Sequence, residues 1–249
     1  MPRLLVATLN ILNLADRWDE RLPLLLAEMA ALQPDLLGLQ EVVYPMQQDR
    51  LLGAAGEGRY EAVRGWAGRP EYGNSLLVKA PLAPTAPDRL DLGAGRAAHR
   101  ALVVLPDGSR VVFAVAHLHH VPADAALRAG QVDALLPWLD TSPVAEALIV
   151  VGDFNAAPEE AAAARMRDAG FRSAYAEANG ADPEVTWPSG LQAPAMDTDC
   201  DPACLDYVWV RGAVTVEDAR LFADRPAVGD TTLYPSDHLG IAAHVQVGG

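Results

Sequence analysis

Five short apolar runs in this chain each abut a polar group of the kind that does chemistry, and that repeated juxtaposition limits what the chain can become. Arg3 to Thr8 leads through Leu9 to Asn10, and Leu36 to Leu39 into Gln40 and Glu41; Arg110 to Ala116 leads to His117, and Ala147 to Val151 through Gly152 to Asp153, Phe154 and Asn155; Asp237-His238 stands directly before Leu239. Runs of this length, bounded by polar residues, read as buried β-strands. Strands that end this way deliver their polar residues to the loops beyond a sheet's edge, where the sites of open sheets gather.

The intervening segments supply helices and turns. Arg21 to Leu32 has helical spacing and is ended by Gln33-Pro-Asp, so the chain opens as strand, helix, strand. Further strands are expected at Glu61 to Arg64, Ser75 to Lys79, Arg100 to Leu105, Arg110 to Ala116, Leu205 to Val210, Val214 to Leu221 and Leu239 to Val247, with a hairpin turn at Leu105-Pro-Asp-Gly-Ser109. Helical periodicity returns at Val121 to Leu139 and Glu159 to Ala169. An excess of strands with helices between them predicts an α/β fold, two sheets face to face with helices outside. No repeat, low-complexity tract or linker divides the chain, so residues 1–249 are expected to form a single domain.

Charge narrows the function. With 33 acidic against 19 basic residues the formal net charge is -14, which disfavours the broad basic footprint of non-specific nucleic-acid binding. A small phosphorylated substrate stays compatible, because carboxylates gathered round a cation count as negative only until it is bound. The opening residues do not read as a signal peptide and no stretch reaches the length of a membrane span, so a cytoplasmic protein is expected. Cys200 and Cys204 form neither a disulfide framework nor a complete zinc site; a structural role is expected of them, paired or reduced.

The polar groups suit phosphoester hydrolysis, which requires phosphoryl charge to be neutralised, a water activated and a leaving oxygen stabilised. Asn10, Glu41 and Asp237 are chemically fit to hold a hard cation. Asp153 and Asn155, two apart, would face one side of an extended segment, one for water and one for a phosphoryl oxygen. His238 calls for a group to fix its tautomer, and Asp206 in Leu205-Asp-Tyr is the candidate.

Thr-Leu-Asn-Ile at 8–11, Gln-Glu at 40–41, His-Leu at 117–118, Gly-Asp-Phe-Asn at 152–155, Leu-Asp-Tyr at 205–207 and Ser-Asp-His at 236–238 together resemble the endonuclease/exonuclease/phosphatase superfamily, in order and over essentially the whole chain. The resemblance implies a DNase I-like four-layer α/β/β/α sandwich of two mixed sheets and a Mg²⁺-dependent hydrolase, with Mn²⁺ as a possible substitute. It further implies that Glu41 is the principal metal ligand helped by Asn10 and Asp237, that Asp153 orients or deprotonates water, that Asn155 and His117 contact phosphate, and that His238, paired with Asp206, serves a phosphoryl oxygen. Leu12, where apurinic endonucleases carry an acidic residue, and His117, where they carry Tyr, turn the pattern away from abasic-site repair. Many members also carry Glu shortly before the central-strand Arg, where His99 precedes Arg100 here.

Several residues support two readings. Arg100 either holds phosphate or pairs with a carboxylate, and Asn74 is either a turn residue or a substrate contact. His119 and His120 read as loop residues or substrate contacts beside one catalytic histidine, Trp187-Pro-Ser-Gly190 as a turn with a packed indole or a wall of the site, and Asp197 to Asp201 as an acidic loop, since Pro202 replaces the Gly that a calcium loop needs. The leading expectation is a metal-dependent phosphodiesterase or phosphatase on a small or lipid-type substrate; a nuclease and a non-catalytic phosphate-binding scaffold are the alternatives.

Overall fold

The apolar runs fold as strands buried on both faces, because each is covered by a second sheet on one side and a helix layer on the other. A computed structural model describes residues 1–66, 68–194, 196 and 201–248, with the backbone alone for Pro45 and Glu71. In chain order the elements are β1 (Arg3–Asn10), α1 (Trp18–Leu32), β2 (Leu36–Val42), α2 (Gln48–Ala55), β3 (Tyr60–Gly65), β4 (Gly73–Lys79), β5 (Pro84–Gly93), β6 (Arg96–Val104) and β7 (Arg110–His117). They continue with α3 (Ala125–Asp140), β8 (Ala147–Asp153), α4 (Ala161–Asp168), β9 (Arg172–Ser173), α5 (Ala174–Asn179), β10 (Asp206–Gly212), β11 (Val214–Phe222) and β12 (Gly240–Val247).

One sheet has the order β11-β12-β1-β2-β4-β3 and the other β5-β6-β7-β8-β10-β9. Each is mixed, with a single parallel pair at its centre, β1 with β2 and β7 with β8. Parallel strands finish at the same edge. That rule brings Asn10 and Gln40 into register in one sheet and His117 and Asp153 in the other. The antiparallel partners β10 and β12 begin where the parallel pairs finish, so Asp206 lies opposite Asp153 and the residues just before Gly240 reach the end of β1.

Three apolar clusters define the layers. Leu4, Val6, Leu36 and Ile241 of the first sheet meet Phe113, Val115, Ile149 and Val208 of the second. Leu25, Met29 and Leu52 of α1 and α2 cover the outer face of the first sheet, and Val132, Leu135, Ala162 and Met166 of α3 and α4 cover that of the second. The arrangement is the four-layer α/β/β/α sandwich, and no described helix is long and apolar enough to cross a membrane.

Sequence patterning missed elements that lack a clean apolar period. β5 contains Pro84 and Pro87 and is mostly exposed; it is an edge strand, where a residue with no backbone N–H is tolerated. The short helices α2 and α5 have too few turns to show a period. The expected hairpin forms, with the Leu105 N–H donated to the Ser109 carbonyl at 2.8 Å. Cys204 is a buried free thiol, pushed above its ordinary value by burial and by nearby Asp182 and Asp206; Cys200 and the stretch 197–200 lie outside the described residues.

The sheets approach closely at Gly38, where a Cβ would lie 2.3 Å from Cγ2 of Val151 and 3.2 Å from Cγ2 of Val115. Gly38→Val is therefore expected to cost about 1–3 kcal/mol by overpacking, measured by denaturant unfolding. A change under about 0.5 kcal/mol would show that the seam is looser than described.

Candidate active site

Asp153 is the hub of the polar end. It is buried, and Gly152 before it holds a positive φ of 142° where a Cβ would strike the Ala116 carbonyl at 1.9 Å. Only glycine permits that approach of β8 to β7, and it sets Asp153 beside His117. The Asp153 Oδ1 accepts the Asn155 backbone N–H at 2.8 Å and its Oδ2 accepts the Asn10 Nδ2–H at 3.1 Å. Oδ2 also lies 3.4 Å from Nε2 of His117 and 3.8 Å from Nε2 of His238. Burial drives the Asp153 carboxyl well above the carboxylate range, with Asp206 adding to the shift and His238 and Asn10 opposing it.

The two histidines are shifted in opposite directions. Burial, reinforced by the guanidinium of Arg96, depresses His117 well below its ordinary value, so it is neutral. Burial acts the same way on His238, but Asp206, Asp153 and Asp237 outweigh it and raise the group well above its ordinary value. His238 Nδ1 donates to Asp206 Oδ2 at 2.8 Å, which leaves Nε2 directed toward Asp153. Asp206 is itself fully buried on β10, opposite Asp153.

Arg96 is the residue that sequence reasoning missed. Its Nη1 lies 2.9 and 2.8 Å from the two ring nitrogens of His117, its Nη2 lies 3.0 Å from Nδ1 of His120, and its Cζ sits 5.4 Å above the ring of Tyr72. Of the two readings of Arg100, phosphate contact or carboxylate pairing, the fold shows the second. In the fold its Nη2 donates to Asp88 at 2.7 Å, its other amine reaches the Trp138 carbonyl, and it stacks on the Trp138 ring. β6 starts at Arg96, four residues before the start read from sequence, so Arg100 is about 13 Å farther along the strand at about 3.3 Å per residue. The signal was available in the Gly-Ala-Gly before Arg96, a turn that marks the true strand start.

The remaining candidates divide clearly. Asn10 tethers Asp153 and Glu41 through its Nδ2, while its Oδ1 accepts the Leu12 N–H at 3.0 Å. Its amide nitrogen thus orients both carboxylates, while its oxygen accepts one backbone N–H and keeps a second lone pair. Asn155, at a positive φ of 48°, donates its amide to the Leu118 carbonyl. Asn74 is no turn residue: it is buried in β4, donates Nδ2 to the Ala97 carbonyl at 2.8 Å, and keeps a buried Oδ1 without a partner. His119 contacts Asp124 at 2.9 Å, and His99 is buried on the inter-sheet face, where burial and Arg89 bring it down to about 4. The Trp187 indole donates to Asp237 Oδ2 at 3.2 Å and so walls the site.

Two groups of residues offer oxygen ligands that could hold a divalent cation. Asp153, Asp206 and His238 bring potential ligand atoms within 4.8 Å of one another, though a cation there would have to replace the proton of His238 and its bond to Asp206. Glu41 lies at the end of β2 with a positive φ of 59°, held by Asn13 Nδ2 at 2.8 Å as well as by Asn10. Burial lifts its carboxyl above the usual range and the negative charge of Asp237 lifts it further. A desolvated carboxylate facing a second one is what a hard cation relieves.

A DNase I-like sandwich whose polar end joins an Asp–His pair, a buried carboxylate and an arginine defines a class of phosphoester-cleaving hydrolases. The Endonuclease/Exonuclease/phosphatase family matches residues 7–238, and the chain belongs to that family. It is 28% identical over 253 residues to Nocturnin of Xenopus laevis and, equally, to Nocturnin of Homo sapiens, covering 90% of this chain but only 64% and 57% of those proteins. Among solved structures, the human Nocturnin catalytic domain with bound sulfate aligns at a TM-score of 0.81 with 23% identity, covering 99% of this chain and 95% of that one. D. rerio TDP2 complexed with single-strand DNA product aligns at 0.80 with 17% identity, covering 99% and 100%. At these identities the structural likeness is one of fold.

Glu41 supplies a pH signature. Its folded value lies above its unfolded one, so between the two the folded state holds more protons, and metal-free stability falls as pH rises above about 4.5. A cation that needs the ionised carboxylate reverses the trend. Saturating Mg²⁺ is expected to stabilise the protein by about 2–3 kcal/mol at pH 8 and by far less at pH 5, read by thermal melts; equal stabilisation at both would remove Glu41 from the metal site.

Proposed function

We propose that the chain is a Mg²⁺-dependent hydrolase of a small phosphoester, with Mn²⁺ as a substitute cation. The observation that carries this reading is the placement of the Asp153 carboxyl between His117, capped by Arg96, and His238, anchored by Asp206. A bound divalent cation, held by Glu41 and Asp237, would neutralise phosphoryl charge.

Asp153, with its basicity raised by burial, accepts a proton from the attacking water. The Nε2–H of His238 donates to a phosphoryl oxygen as negative charge develops, and Asp206 keeps the ring in the tautomer and orientation that allow it. Arg96 meets a second phosphoryl oxygen with fixed charge, its position set by His117, His120 and Tyr72. Asn155 and Asn10 hold the Asp153 carboxylate in place. Asn74 steadies the Arg96 strand through the Ala97 carbonyl.

A nuclease is the second reading, favoured by the fold shared with a protein solved with single-strand DNA product. The net charge of -14 opposes a long polyanion. A cytoplasmic setting and a single domain over 1–249 belong to the same proposal.

Turnover of simple phosphoesters is expected to require Mg²⁺ and to stop with EDTA. Arg96→Ala should lower kcat/KM about 100- to 1000-fold, while Arg100→Ala stays within about threefold, because the latter group is spent on Asp88 and Trp138. Absence of turnover with any divalent metal, together with unchanged metal binding by Glu41→Gln, would sink the hydrolase reading. Faster cleavage of oligonucleotides than of small esters, falling steeply with salt, would favour the nuclease.

A further inference from the structure

The polar end carries an aromatic face, near the turn before Arg96, that the hydrolytic groups do not use. Trp66 follows the end of β3 and is 47% exposed, although its ring packs against Tyr44 with centroids 5.1 Å apart and planes tilted by 34°. An exposed indole backed by a second ring is a flat surface with one side open. Tyr44 beneath it is immobilised: its hydroxyl donates to the Asn74 carbonyl at 2.5 Å, lies 3.1 Å from Ser75 Oγ, and accepts the Gly65 N–H at 3.1 Å. Ser75 in turn donates to buried Asp49, which also binds Arg64.

The face belongs to the polar end. Tyr44 lies three residues beyond Glu41, and its ring covers Gly73, which pairs with Val42 at the end of β2. Gly65 pairs with Asn74, whose amide binds the carbonyl next to Arg96. Gly68 packs against Gly95, so the segment after Trp66 leans on the turn that carries Arg96, and Tyr72 ends under the guanidinium. Exposed Arg69 puts one more cation on this rim of an otherwise acidic protein, while the charge of Arg64 is matched by Asp49.

We propose that Trp66, supported by Tyr44, is a stacking subsite for a planar heteroaromatic group, so that the site takes a nucleotide-type phosphoester with its base on Trp66 and its phosphate on Arg96. The inference rests on the phosphoester reading of the Arg96 site. A rigid aromatic plane next to a fixed cation matches a ligand with a flat π-face and an attached anion. An acyl chain would instead call for a broad apolar surface, which the arginines on this rim interrupt.

The test is binding in EDTA, where no metal-dependent turnover occurs. Adenosine 5′-monophosphate and ribose 5-phosphate carry the same phosphate and differ in the base, so calorimetric titration of both isolates the stacking contribution. Adenosine monophosphate is expected to bind about tenfold more tightly. Trp66→Ala, at a half-exposed position that should leave circular dichroism and melting unchanged, is expected to erase that preference without altering ribose 5-phosphate affinity, and Trp66→Phe to keep most of it. Equal affinity for the two probes in the wild type, or equal losses for both in Trp66→Ala, overturns the subsite. Tighter binding of hexyl phosphate than of adenosine monophosphate, lost in Trp66→Ala, also overturns it and assigns the face to an acyl chain. Base preference without metal-dependent turnover would retain the subsite while rejecting the hydrolase; turnover without base preference would do the reverse.

Discussion

Buried charge at the seam between two sheets is the constraint on which the rest of this structure depends. Asp153 and Asp206 come from the second sheet and lie almost entirely out of solvent, where an unpaired carboxylate is costly. Their partners arrive from the first sheet: Asn10 from the end of β1 reaches Asp153, and His238 from just before β12 reaches Asp206. The two sheets are therefore joined at this end by polar bonds as well as by the apolar core beneath. A relative shift of the sheets would cost each carboxylate its partner from the first sheet, so the geometry of the site is enforced by the same contacts that close the sandwich.

The opposite shifts of His117 and His238 follow from where the opposing charges lie. Both rings are buried, and burial favours the neutral form of each. Arg96 faces His117 and reinforces that preference, whereas three carboxylates surround His238 and reverse it. One imidazole shifted down and one shifted up thus sit on either side of Asp153. The two rings are thereby set for different tasks before a phosphoryl group is met, which is an element of electrostatic preorganisation.

Most of this arrangement was legible in the sequence because strand periodicity and strand ends are local properties. The runs ending at Asn10, Glu41, His117 and Asp153 became strands that finish at one edge, and the pairing of Asp206 with His238 followed from chemistry once that edge was common. What escaped depends on register between segments distant in the chain. Arg96 and Arg100 project from the same face of one strand, and only the position of the strand's start decides which meets His117. The direction of the Asn10 amide is fixed by the N–H of Leu12, two residues on, through a turn of positive φ that composition does not reveal. Asn13 on Glu41 depends on the same turn.

Net charge proved a poor guide to the site itself. The chain carries -14, yet the groups nearest Asp153 include Arg96 and His238, and Arg64 and Arg69 stand on the adjoining rim. Acidic residues elsewhere are spread over the surface in pairs with arginines, as at Arg17 with Glu20 and Asp230, or Arg172 with Glu177. At about 8 Å of screening in physiological salt, a ligand a few atoms long feels the local cations, while an extended polyanion also meets the acidic surroundings. Glu41, Asp153, Asp206 and Asp237 outnumber the cations within the site, so a small anion is drawn in only where a bound divalent cation would offset them, while the acidic surroundings still oppose a longer polyanion.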